Sequence, residues 1–183
     1  RRLAAKLPHR TNAPDRSGLP VALAELTAEV ERRQKGETTD RSPRFLFVFG
    51  IHRLRELRKA DEDFGFGRRS AERAVPPSEL FHTILREGPP LGVHLIVWCD
   101  SLTNLNRAFD RAAAREFGMR VLFQMSPTDS STLMDTPAAS RLGRNRALLL
   151  LEDQERPEKF RPYRVPSAEW LAKAEETLRG RGA

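Results

Sequence analysis

The residues of this chain with the most chemical potential gather at the end of one apolar run. Val93-His94-Leu95-Ile96-Val97-Trp98-Cys99-Asp100 is a stretch of strand-forming residues that stops in an acid. Open α/β sheets bind ligands beyond the carboxyl ends of their parallel strands, so Asp100 stands where an acid can organise water or a metal ion. The same acid can instead cap a helix starting at Leu102, as can Ser101, because both residue types accept bonds from the first free N–H groups of a helix. His94 reads as a packed, hydrogen-bonded core histidine rather than a general base. Trp98 reads as core, and Cys99 as a small buried hydrophobe.

Other candidates are weaker in pattern. His52 lies beside Arg53 and Arg55, which suits contact with a polyanion or a neighbouring nucleotide and equally a solvated helix start. His9 and His82 have no Cys or acid at ligand spacing, so no zinc site is expected and no metal ligand is assigned. Asp61-Glu62-Asp63 lacks the spacing and distal Glu of a calcium loop and reads as solvated. Ser130 and Ser131 lack a Gly-x-Ser-x-Gly elbow, so no hydrolase triad is supported. Arg107, Arg111 and Arg115 recur at helical spacing, with Arg120 beyond them. They suit a subunit interface, a DNA-facing channel or a plain solvated face, and Arg144 and Arg146 read the same way.

Buried strands alternating with helices must position these groups. Pro20 opens a helix that carries Leu23, Leu26 and Val30, with Glu29 spaced to pair with Arg33 and Gly36 to end it. Arg44-Phe45-Leu46-Phe47-Val48-Phe49 predicts a strand buried on both faces and stopped by Gly50. Residues 61–77 predict a long polar loop, and Ser78 a cap for a helix through Leu85. Strands follow at Val93–Cys99 and Arg120–Met125, with one helix from Leu102 to Phe117 between them. A short helix opens near Asp129, an apolar run spans Ala147–Leu151, and Ser167 caps a final helix with Trp170 and Leu171. The organisation expected is a lead-in over 1–43, an α/β domain over 44–165 with a mostly parallel sheet flanked by helices, and a closing helix over 166–183.

Composition narrows the class without choosing a function. The chain has 183 residues, 39% hydrophobic and 31% charged, enough for one domain with a sizeable core. No apolar run approaches the ~20 residues that span a bilayer. Arg1-Arg2-Leu3-Ala4-Ala5-Lys6-Leu7-Pro8 is too short and charged for a secretory signal and reads as a chain that began elsewhere. The single cysteine rules out an internal disulfide and fits a reducing, cytoplasmic setting. A net charge of +7, with 32 Lys and Arg against 25 Asp and Glu, makes nucleic acid a candidate partner.

From Arg44 to Leu151 the order of motifs resembles the C-terminal half of an FtsK/SpoIIIE-type motor ATPase, a RecA-like P-loop NTPase fold. Gly92-Val93-His94-Leu95-Ile96-Val97 matches the family's sensor strand. Arg120-Val121-Leu122-Phe123-Gln124-Met125-Ser126 matches a later strand, Asp129-Ser130 its Asp-Ser-Arg turn, and Ala138-Ala139-Ser140-Arg141-Leu142-Gly143 its closing loop. The resemblance implies ATP and Mg²⁺ as cofactors and a ring of subunits, or an upstream half-domain, as partner. Double-stranded DNA is the implied substrate, with an exported polypeptide as the less favoured one. Nucleotide-side residues would be Gly50, Asp129 and Ser130, with Asp100 at the sensor position. Arg107, Arg111, Arg120 and Arg146 would face DNA or a neighbouring subunit.

The departures from the family pattern are as informative. Gly50 stands where the Walker B acid belongs, and glycine cannot hold magnesium. Asp100 replaces the sensor glutamine, an acid that could partly compensate for Gly50, and Ser131 replaces the turn arginine. No Gly-x-x-x-x-Gly-Lys-Ser/Thr loop occurs in the sequence. The expectation is a motor half-domain that is inactive alone, or a degenerate, non-catalytic relative.

Overall fold

The computed structural model describes residues 9–58 and 75–181, so the Asp61-Glu62-Asp63 run and most of the expected 61–77 loop lie outside the described residues. It forms two compact units, one of residues 15–118 and the other of 119–181 with 9–14. The class is α/β. No described helix is long and apolar enough to cross a membrane.

In the first unit, α1 (Leu19–Gln34) carries Pro20 in its opening turn, where a missing N–H costs nothing. Leu19, Leu23 and Val30 are buried along its inner stripe. β1 (Arg44–Phe49), α2 (Pro77–Glu87) and β2 (Val93–Trp98) follow. β1 and β2 pair in parallel, from Arg44 opposite Val93 to Phe49 opposite Trp98. Leu46, Val48, Val93, Leu95 and Val97 share a core with the apolar stripes of α1 and α2.

The other face of this sheet is open, which corrects the expectation of a strand buried on both sides. Phe45, Phe47 and Phe49 are 54%, 70% and 75% exposed. Ile96 and Trp98, partners of Phe47 and Phe49 in the ladder, are exposed too, so Trp98 is not a core residue. Trp98 stacks on Phe49 at 4.5 Å between ring centroids, and His94 stacks on Phe45 at 5.2 Å. Successive strand side chains point to opposite faces. The helices cover only the Leu/Val side.

Two helix expectations also change. α2 starts at Pro77 without a side-chain cap, so Ser78 lies inside it. The single helix expected over Leu102–Phe117 is two short ones, α3 (Leu102–Leu105) and α4 (Arg111–Arg115). Asp110 accepts from the Ala113 N–H at 2.7 Å and caps a new start, while Phe109 between them is buried. Arg107 therefore lies off the helix that carries Arg111 and Arg115, and the three do not form one helix face.

The second unit is antiparallel, so among the described residues parallel pairing is confined to β1 and β2. β3 (Met119–Leu122), β4 (Ala147–Leu151) and β5 (Glu158–Phe160) form one sheet in that order. Met119 lies opposite Leu151 and Ala147 opposite Phe160. Between β3 and β4, α5 (Pro127–Met134) folds back on a 3₁₀ turn at Pro137–Arg141, and their buried Met134 and Ala139 share a core with Leu122, Leu148 and Leu150. Strand–helix alternation does not specify strand direction, and this connection returns the chain antiparallel. α6 (Ala168–Arg181) is capped as expected, the Trp170 N–H donating to Ser167 Oγ at 3.2 Å.

A buried ion cluster organises the first unit. Glu29 and Arg33, both about 1% exposed, pair at 2.8 Å one helical turn apart. Glu29 also pairs with Arg32, and with Arg44 at 3.1 Å. Arg33 also donates from Nη1 to the Leu91 carbonyl at 2.8 Å and from Nη2 to the Ser42 carbonyl at 3.0 Å. Gly92 lies under that guanidinium, at φ +76° and with room for a Cβ only 3.3 Å from Arg33 Nη1. Burial raises the Glu29 carboxyl, but the Arg33 bond and the charges of Arg44, Arg32 and Arg33 outweigh it and hold the group below its ordinary value.

Glu29→Gln strands a buried guanidinium and is expected to lower the unfolding free energy by about 3–5 kcal/mol in urea titration at neutral pH. The folded carboxyl titrates below its unfolded value of 4.5. Its contribution is therefore present above that pH and lost as pH falls through the folded value. The stability gap between the two chains should narrow on the acid side only.

Candidate functional site

The two parallel strands end side by side, and their ends build the site. The Gly50 N–H donates to the Trp98 carbonyl at 3.0 Å, carrying the ladder one residue past β1. Gly50 then turns at φ +78°, ψ +58°, a left-handed conformation that favours glycine, into a 3₁₀ turn at Ile51–Arg53. Ile51 is buried and pins this turn, which brings His52 over the end of β2. Its Nδ1 lies 3.4 Å from Asp100 Oδ1. That nitrogen is buried and has no hydrogen-bond partner among the described residues, so the contact is one of proximity.

Asp100 does not cap α3. Ser101 does, accepting from the Asn104 N–H at 3.3 Å, which leaves the carboxylate to face His52. Asp100 Oδ1 accepts from Asn104 Nδ2 at 2.8 Å and from Ser101 Oγ at 3.3 Å. The Asn104 amide, with smaller help from His52 and Ser101, holds this carboxyl below its ordinary value. Cys99 Sγ completes the group, 3.8 Å from Asp100 Oδ1 and 3.4 Å from the Ser101 carbonyl. Partial burial pushes the thiol up, and the adjacent Asp100 charge adds to the shift. One donor atom each of His52, Cys99 and Asp100 lies within 4.8 Å of the others.

Of the remaining sequence candidates, Arg107 and Arg111 lie in the first unit and Arg120, Asp129, Ser130 and Arg146 in the second. Arg107 and Arg111 are exposed. In the second unit, Arg120 donates from Nη1 to the Leu133 carbonyl at 2.8 Å and braces the end of α5. Arg146, half-buried, reaches only the neighbouring Asn145 carbonyl at 3.5 Å. Asp129 stands in the first turn of α5, its N–H donating to the Ser126 cap at 3.1 Å. Ser130 is fully buried, its hydroxyl donating to the Thr136 carbonyl at 2.6 Å and accepting from the Ala139 N–H at 3.1 Å.

His52 and Cys99 are the members of the site that sequence spacing missed. No ligand-spacing rule links positions so far apart. The available signal was that both follow apolar runs of equal length, which a parallel pairing would set in register. No known family model matches the chain, and no curated protein matches it.

Gly50→Ala is expected to cost about 1–2 kcal/mol in urea unfolding, because an L side chain at this left-handed position is strained. Ser130→Ala leaves the buried Ala139 N–H and the part-buried Thr136 carbonyl short of a partner. A loss of about 1–3 kcal/mol is expected from the same measurement.

Proposed function

We propose that this chain is the C-terminal portion of an FtsK/SpoIIIE-like ATP-driven translocase domain, inactive by itself. The observation that carries the reading is the parallel, in-register pairing of β1 and β2. It brings to the same end of the sheet the two positions, Gly50 and Asp100, that by the resemblance would hold the motor family's Walker B acid and sensor residue. The open aromatic face adds support. Parallel sheets normally have both faces covered, so a two-stranded parallel sheet with Phe45, Phe47, Phe49 and Trp98 exposed has the character of part of a larger sheet. An upstream half-domain would supply the missing cover, and a ring of such subunits would move double-stranded DNA.

Mg²⁺ and ATP do not fit the residues present. Magnesium takes hard oxygen ligands in octahedral geometry, often shared with substrate phosphates. The end of β1 offers the hydrogen of Gly50, and the end of β2 offers one carboxylate flanked by an imidazole and a thiol. The sequence contains no phosphate-cradling loop. No catalytic step is therefore assigned to this chain. Its part in the motor would be to supply Asp100 to a nucleotide site completed by another half-domain or a neighbouring subunit.

A second reading takes the open face as the function. In that case the chain is a degenerate motor-like module that holds a ring together or receives a partner or DNA. Its aromatic rings and net positive charge would provide the contacts.

The test is binding of a fluorescent ATP analogue, with ATP turnover, by this chain and by one extended at its amino end through a phosphate-loop half-domain. Binding by the extended chain alone is the expected result. Turnover above background by the present chain would overturn the proposal, and binding by neither would favour the degenerate module.

A further inference from the structure

We propose that His52 Nδ1, Cys99 Sγ and Asp100 Oδ1 form a binding site for one Zn²⁺ ion, with water as fourth ligand. The inference is independent of the motor reading, since it needs neither nucleotide nor ring. It rests on the match between donor geometry and the coordination that zinc prefers. Zinc takes nitrogen at about 2.0–2.1 Å, carboxylate oxygen at about 2.0–2.2 Å and thiolate sulfur at about 2.3 Å, in a tetrahedron. Those bond lengths set an N···O edge of about 3.4 Å and an S···O edge of about 3.5 Å. The structure has 3.4 Å from His52 Nδ1 to Asp100 Oδ1 and 3.8 Å from Cys99 Sγ to the same oxygen. The third edge, between nitrogen and sulfur, needs about 3.6 Å; one donor atom of each residue lies within 4.8 Å of the others, so a small side-chain rotation on binding would close it.

Three further features suit a metal centre. The His52 Nδ1 atom is buried and has no hydrogen-bond partner among the described residues, an unmet cost that a cation at its lone pair would remove. Asn104 Nδ2 anchors Asp100 Oδ1 at 2.8 Å, the kind of outer contact that orients a ligating carboxylate. The Asp100 side chain is 43% exposed, so solvent can reach the fourth position.

Donor chemistry selects the ion. An imidazole and a thiolate disfavour Mg²⁺ and Ca²⁺, and suit zinc and its chemical stand-in Co²⁺. On binding, the Cys99 thiol gives its proton to solvent and its sulfur becomes an anionic ligand. Thiolate and carboxylate then balance the two charges of the cation, with His52 neutral.

Co²⁺ titration of the tag-free, metal-stripped chain provides the test. Cys99 is the chain's single cysteine, so a cobalt–thiolate charge-transfer band reports on this residue alone. The expected result is such a band with the visible spectrum of tetrahedral Co²⁺, saturating at one ion per chain and abolished by Zn²⁺. Cys99→Ser should remove the band. His52→Ala and Asp100→Asn should each weaken binding at least about tenfold, and Asn104→Ala about 10- to 100-fold. Circular dichroism of each metal-free variant separates loss of the site from loss of the fold. Absence of the band in the folded wild-type chain at saturating Co²⁺ would overturn the proposal. So would unchanged affinity in folded His52→Ala or Asp100→Asn, which would reduce the site to a cysteine binding metal alone.

Discussion

The first unit depends on the buried pairing of Glu29 with Arg33. A guanidinium almost fully removed from water is tolerable only when its donors are satisfied, and this one is held by a carboxylate and two backbone carbonyls. Those carbonyls belong to Ser42, just before β1, and Leu91, just before β2. One side chain thus ties α1 to the entry points of both strands. The Arg44 N–H donating to the Gly92 carbonyl at 2.9 Å begins the parallel ladder beside it. A single helical residue sets where the two strands start. Because the strands are equal in length, it also sets where they finish.

That shared finish creates the candidate site. Parallel strands that begin in register deliver the residues after them to the same edge. Gly50 and Asp100 come to the same end of the sheet through this geometry although fifty positions separate them in sequence. Local chemistry then sorts the side chains. Ser101 takes the capping role and frees Asp100, and the left-handed turn at Gly50 directs the chain so that His52 comes over the acid. Gly50 therefore has a structural role here, as the residue that makes this turn possible without strain.

The open aromatic face is the counterpart of the same arrangement. α1 and α2 pack on the Leu/Val side of a two-stranded sheet, and the opposite side carries Phe45, Phe47, Phe49, Ile96 and Trp98. Ring stacking across the ladder, as between Phe49 and Trp98, shields part of this surface without burying it. The second unit reaches stability differently, through an antiparallel sheet and polar bonds from the buried Ser130 hydroxyl that tie α5 to the following turn.

Local signals in the sequence determined the elements. Pro20 and the Leu23–Val30 stripe marked α1, unbroken β-forming runs marked β1, β2 and β4, and Ser167 marked the start of α6, because caps, helix period and strand propensity act over a few residues. The Glu29–Arg33 pair was legible for the same reason, being one helical turn apart. Which faces of a strand are covered was not legible, since an apolar run looks the same whether helices lie on one side or both. Strand direction was equally hidden, so β3 and β4 read as parallel until their pairing was known. The break between α3 and α4 turned on whether Asp110 would cap and Phe109 would find a core. The meeting of His52, Cys99 and Asp100 belonged wholly to tertiary structure. Donor atoms on separate segments become neighbours only when a long-range register is set, and here a buried arginine sets it.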